Sequence, residues 1–205
     1  MIMDFARSAL SFPVVYDSYQ SLVGAPRCHQ RFITEMVRPR ASDRVLDIGC
    51  GVGASVRYLP TGVRYVGIDI SEAYIARARS DFADRGEFFC VDVGSVRAET
   101  LGQFDLAFSF GVLHHLSDDI VARVIELVRK VVRPGGRFVT IDPCYVAGQN
   151  AIARLLIDND RGEFVRDADG YTRLMAGLGE VGATVHHDLL RIPYTQVVMR
   201  VDLPD

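Results

Sequence analysis

Nowhere in this chain does an apolar run reach the roughly 18 residues that a membrane span requires, because Asp, Arg or Gly interrupts each one first. A secretory signal is also missing: the opening residues MIMDFARSALSFPVV place Asp4 and Arg7 where such a signal would be apolar. Together these absences predict a cytoplasmic protein with no membrane partner. An excess of positive charge is missing: a formal net charge of −3 gives no broad attraction to phosphate backbones, so a nucleic-acid partner is disfavoured. Lysine is reduced to Lys130 alone. The cysteines Cys28, Cys50, Cys90 and Cys144 fit neither a zinc spacing nor a disulfide framework and are read as free thiols. Repeats and low-complexity tracts are absent, and no oligomeric partner is legible.

What is present is enough apolar residue, 49% of 205, for the core of one domain. From Arg44 onward, short β-branched runs alternate with amphipathic stretches, the pattern of βαβ units building a parallel sheet covered on both faces. Five parallel strands are predicted at 44–48, 64–68, 87–91, 104–109 and 137–141. Ser71 is the expected N-cap of a helix running to about Asp84. Ser117, followed by Asp118 and Asp119, is the expected N-cap of a helix whose apolar positions include Val121, Val124, Ile125, Val128 and Val131. The turn Pro134-Gly135-Gly136 should stop that helix. Two runs at 183–192 and 194–201, joined at Pro193 with no room for a crossover helix, predict an antiparallel hairpin.

The segment VLDIGCGVG, residues 45–53, follows a strand and is expected to open a helix, the setting in which a glycine loop brings backbone close to a ligand. Gly49, Gly51 and Ala54 also satisfy a dinucleotide fingerprint, so an NAD(P)-dependent oxidoreductase stands as the alternative. Asp69, about twenty residues beyond the loop at the end of the second strand, suits a ribose diol in either case. Asp92, ending the third strand, could accept a hydrogen bond from an adenine amino group, which the dinucleotide fingerprint does not require. The plain alternative for both acids is a surface or capping carboxylate.

Taken together, VLDIGCGVG, the acidic ends of VGID and FFCVDV, FDLAFSFGVLHHL, the RPGG turn and the terminal hairpin resemble the class I, Rossmann-like methyltransferases that use S-adenosylmethionine and release S-adenosylhomocysteine. The resemblance covers about residues 44–201 and implies an α/β fold: a three-layer, doubly wound, seven-stranded sheet, mostly parallel with an antiparallel C-terminal strand. It implies a single domain over 1–205. Residues 1–43 would be an N-terminal helical lid, 44–142 the cofactor-binding core, 143–182 a substrate-side insertion with a helix, and 183–205 the hairpin. Carried over by position, Asp47 would meet the methionyl amine, and Gly49 and Gly51 would leave room for the cofactor. Asp69 would bind the ribose and Asp92 the adenine amine, with Ile70 and Val93 packing on the ring. Phe110 matches the position whose backbone faces the methionyl amine.

The sulfonium already activates the methyl group, so the protein's main task is to hold a nucleophile in line with it. For a hydroxyl acceptor, His114 or His115, following the fourth strand, is the candidate base; packing of the loop is the alternative role. His186 and His187 are read as structural. The end of the fourth strand, Phe108-Ser109-Phe110, has neither the carboxylate of metal-dependent catechol-type members nor the motif for methylating exocyclic amines. A metal-independent methyl transfer to a small-molecule acceptor, oxygen preferred, is therefore expected, with an RNA or protein acceptor as the alternative. Tyr16, Tyr19 and Arg27 are the candidate substrate contacts.

Overall fold

The computed structural model describes residues 24–205. The described part begins with helix α1 (Ala25–Arg31), which continues as a π-helical turn, Phe32–Val37, and enters strand β1 (Arg44–Ile48). A 3-10 helix, Ala54–Tyr58, leads to β2 (Arg64–Asp69), α2 (Glu72–Phe82), β3 (Gly86–Cys90) and the single turn α3 (Ala98–Leu101). Then come β4 (Phe104–Phe110), a 3-10 turn at Leu113–His115, α4 (Asp118–Val131) and β5 (Val132–Tyr145). The last third holds α5 (Ala151–Asp158), the short β6 (Arg166–Asp167), α6 (Ala168–Met175), β7 (Val181–His186) and β8 (Gln196–Asp202).

The strands lie in the order β3-β2-β1-β4-β5-β8-β7, with β6 pairing the end of β5 off this path. Strands β1 to β5 pair parallel, and β8 is inserted antiparallel between β5 and β7. The expected doubly wound α/β sheet is therefore present, with the two-residue β6 as an unforeseen addition. The order reverses between β1 and β4, which opens a crevice at their carboxyl ends where ligands of such sheets bind.

Alternation along the strands divides the core between the two faces. Leu46, Ile48, Val66, Ile68, Phe138 and Val197 pack under α4 and α6. Val45, Tyr65, Leu106, Phe108, Val139 and Val198 face Phe32 and Ile33 of the first helical segment and Ile75 and Ala78 of α2. Burial of each large side chain stabilises by about 1.5–3 kcal/mol. Helix α4 shows why one stripe suffices: Val121, Val124, Ile125, Val128 and Val131 are buried, while Arg129 and Lys130 load its exposed last turn.

Four expectations need correction. The glycine loop opens only a 3-10 helix of five residues, because Gly53 at φ 76° and Pro60 leave no room for a second α-turn. Ser117 stands at the N-cap of α4, but its hydroxyl caps nothing; its carbonyl accepts from Ile120 and Val121 instead. Pro134-Gly135-Gly136 lies within β5 as an irregularity, where Phe104 pairs Val132 and Leu106 already pairs Arg137. The hairpin strands are 181–186 and 196–202, so the connection is longer than expected. Pro193 has no N–H for a ladder and Leu189 is buried in the core, which pulls this segment off the sheet. Among the described residues, no helix is long and apolar enough to cross a membrane.

Candidate active site

At the end of β1, Asp47 is almost fully buried. Its Oδ2 accepts a hydrogen bond from the Tyr65 hydroxyl at 2.8 Å, and its Oδ1 is buried without a hydrogen-bond partner. Burial pushes the carboxyl up to about 7, against the opposing effect of the Tyr65 bond. The loop that follows is anchored by Gly49 N–H and Cys50 N–H, both donating to the Ile68 carbonyl.

The two glycines of this loop differ. Gly49, at φ 73°, has Val112 Cγ2 only 2.5 Å from where a Cβ would stand, so Val112 fills that space and not a ligand. Gly51, at φ 54°, has nothing within 4 Å of that point, so the backbone here borders open space. Asp69 at the end of β2 ties the loop down: its Oδ2 accepts from Gly51 N–H at 2.9 Å and its Oδ1 from Ser71 N–H at 2.8 Å. Beside it Ile70 is 72% exposed, an apolar side chain standing out at the crevice rim.

Asp92, after β3, partly fulfils the plain alternative, since its Oδ1 accepts from Gly94 N–H in a local turn. Val93 packs against the α4 side of the core and lines a surface groove with Arg97 and Arg123. Phe110, ending β4, is stacked by the His29 ring of α1 at 3.9 Å between centroids and 4° between planes. His29 Nε2 also lies 2.9 Å from Ser55 Oγ, and burial pushes this imidazole down to about 4, so it is neutral. Arg27 lies elsewhere on the same helix, in a groove with Gln30, Arg31, Thr34, Glu35 and Asp188, none of them a crevice residue named above. Tyr16 and Tyr19 fall outside the described residues.

The two histidines have different surroundings. His114 is 5% exposed, with Nδ1 2.8 Å from Asp142 Oδ1 and Nε2 3.2 Å from Asp160 Oδ1. Burial alone would lower its pKa, but the two carboxylates outweigh burial and hold it up to about 9. His115 is exposed, its ring centroid 4.0 Å from that of His114. Partial burial and the His114 charge push its pKa down, which favours the neutral base. His114, His115 and Asp160 place one candidate ligand atom each within 4.8 Å of one another, a grouping able to hold a metal ion.

Sequence reasoning missed Asp142, Asp160, Tyr194 and His29. Asp142 is hidden in an apolar strand, and the only outward sign of Asp160 is its unusual segment, Asp158-Asn159-Asp160-Arg161-Gly162.

Residues 45–136 match a family described as a methyltransferase domain. In that stretch, and in the reversed strand order and the acidic strand ends, the chain is similar to the class I, S-adenosylmethionine-dependent methyltransferases. It is 37% identical over 109 residues to the 27-O-demethylrifamycin SV methyltransferase of Amycolatopsis mediterranei, a match covering 50% of this chain and 39% of that protein. It is 37% identical over 103 residues to the ubiquinone biosynthesis O-methyltransferase of Pseudomonas aeruginosa, covering 47% of this chain and 43% of that protein. These matches span less than half of either relative's length. Among solved structures, human N-acetylserotonin methyltransferase in complex with S-adenosylmethionine superposes with a TM-score of 0.66 at 18% identity, covering 95% of this chain and 56% of that one. That likeness concerns the fold.

Proposed function

We propose that this protein transfers a methyl group from S-adenosylmethionine to an oxygen atom of a small-molecule acceptor without a metal. The observation that carries this reading is Asp69, fixed on Gly51 N–H beside open space at the end of β2. Three features fit the cofactor: the cradle at Gly51, the exposed apolar Ile70 next to a ribose-binding carboxylate, and the buried Asp47 Oδ1 that lacks a donor near the expected ammonium. When bound, S-adenosylmethionine supplies an activated methyl group for in-line displacement. Asp69 binds the ribose diol, Asp92 offers its second oxygen to the adenine amine, and Asp47 meets the methionyl amine.

His115 would take the proton of the acceptor hydroxyl and become an imidazolium as that oxygen receives the methyl group that S-adenosylmethionine would supply, its sulfonium leaving as a thioether. The two curated relatives described above act in O-methylation, rifamycin and ubiquinone formation being their contexts by name, which supports oxygen as acceptor. Neither histidine is required to hold the cofactor.

Two expected outcomes test this. Gly51→Ala puts a methyl group into the cradle and a side chain at φ 54°, costing about 1–2 kcal/mol of stability. Its affinity for S-adenosylhomocysteine should fall about tenfold or more by calorimetry, the equivalent of about 1.4 kcal/mol. Tight NADH binding by the wild type with no uptake of either S-adenosyl compound would overturn the cofactor assignment. Transfer of a labelled methyl group to metabolite extracts should fall about 10²- to 10⁴-fold in His115→Gln with cofactor affinity unchanged. Undiminished transfer in that variant would remove His115 as the base.

A further inference from the structure

Outside the residues matched by the family, the segment between β5 and α6 closes on His114 from several directions. Phe164 N–H donates to the His114 carbonyl at 2.9 Å. Arg166 donates to the carbonyls of Leu113 and Leu116 on either side, at 3.1 and 2.8 Å, and pairs with Asp118. A Cβ at Gly162 would overlap the His114 ring, so only glycine allows this approach.

The ring itself is bracketed. Asp142 Oδ1 already accepts the His114 backbone N–H at 3.1 Å as well as facing Nδ1. Asp160 Oδ1 accepts from Gly162 N–H, and its Oδ2 accepts from the Tyr194 hydroxyl at 3.0 Å. Asp160 is thus held as an acceptor through both oxygens, which favours its ionised form. A neutral imidazole has one N–H and one lone pair, so it would aim that lone pair at a carboxylate; the imidazolium donates to both.

We propose that Asp160 is a positioning residue of the acceptor pocket: with Asp142 it brackets the His114 ring, one carboxylate facing each ring nitrogen, clamps residues 158–166 over the end of β4, and leaves His115 as the proton acceptor. The last part rests on the methyl-transfer reading above; the bridge itself does not. Among the described residues, other charged or titratable groups against it include His115 of the same turn, Arg166 of β6, Tyr171 of α6 near Asp142, and Tyr145 and Tyr194 near Asp160.

Imidazole ¹H–¹⁵N correlation spectra of the whole chain, recorded across pH, test the bridge without any acceptor. In the wild type both His114 nitrogens are expected to stay protonated through neutral pH and to titrate near 9. In Asp160→Asn the His114 titration should move down by about one unit or more, a tenfold loss of proton affinity, and that of His115 should also move down, because the Asp160 charge that raises it is gone while His114 is still protonated there. Tyr194→Phe should shift His114 in the same direction by less. A wild-type His114 titrating at or below the ordinary imidazole range, or an unmoved one in Asp160→Asn, overturns the proposal. So does uptake of one equivalent of Zn²⁺ at micromolar concentration with loss of the His114 Nε2 proton, which would make the cluster a metal site. The wild-type titration alone decides the matter if Asp160→Asn does not fold. Failure of S-adenosylhomocysteine binding, measured on the same samples, would strike the methyl-transfer reading and leave the bridge standing.

Discussion

Asp69→Ala is expected to abolish measurable binding of S-adenosylhomocysteine in calorimetry while the chain still unfolds cooperatively. A hydrogen bond to a charged group contributes about 1.5–3 kcal/mol, so loss of two from the ribose diol lowers affinity on the order of 10²- to 10⁴-fold. The loss should lie at the upper end, since the same carboxylate also fixes Gly51 N–H and Ser71 N–H and its removal loosens the loop that forms the cradle. Asp92→Ala should cost less, because one of its oxygens is engaged in its own turn with Gly94. Equal affinity in wild type and Asp69→Ala would place the cofactor elsewhere.

His114→Ala carries the largest expected loss of stability. Removing one partner of a buried ion pair costs about 3–5 kcal/mol, because the remaining charge has neither solvent nor partner. Here the group left behind is Asp142, fully buried and keeping only the backbone N–H of residue 114. The pH dependence has a definite sign. The folded imidazole titrates near 9, above its ordinary value of 6.5, so its stabilising contribution is complete below about 6.5 and disappears as pH rises through 9. Asp160, held down to about 2 chiefly by the His114 bond against the opposing effect of burial, keeps its own contribution until strongly acidic pH. Urea denaturation should therefore show the full gap between wild type and His114→Ala near pH 6 and only the packing difference near pH 10. An equal gap at both would mean that the imidazole packs there without charge.

Much of the site was legible because each part of it is local. A strand-ending acid such as Asp47 or Asp69 follows a short apolar run, and the glycine loop follows β1, so five or six consecutive residues carry the signal. The glycines themselves were less transparent. Gly49 and Gly51 look alike in the sequence, yet Val112 occupies the space beside the first and nothing within 4 Å occupies the space beside the second. Likewise His114 and His115 are neighbours in one turn, and no pattern distinguishes them. Their difference comes from Asp142, 28 residues on, and from Asp160 in the insertion.

The chain's own order of residues determined the alternation of strands and helices, the acids at the strand ends and the family resemblance, since side-chain periodicity and backbone preference act over a few residues. The packed structure alone decided which glycine borders open space, which histidine is enclosed between carboxylates and which faces outward, and where the terminal hairpin releases the sheet. Those outcomes depend on contacts between segments far apart in the chain, where burial changes what a carboxylate or an imidazole does with its proton.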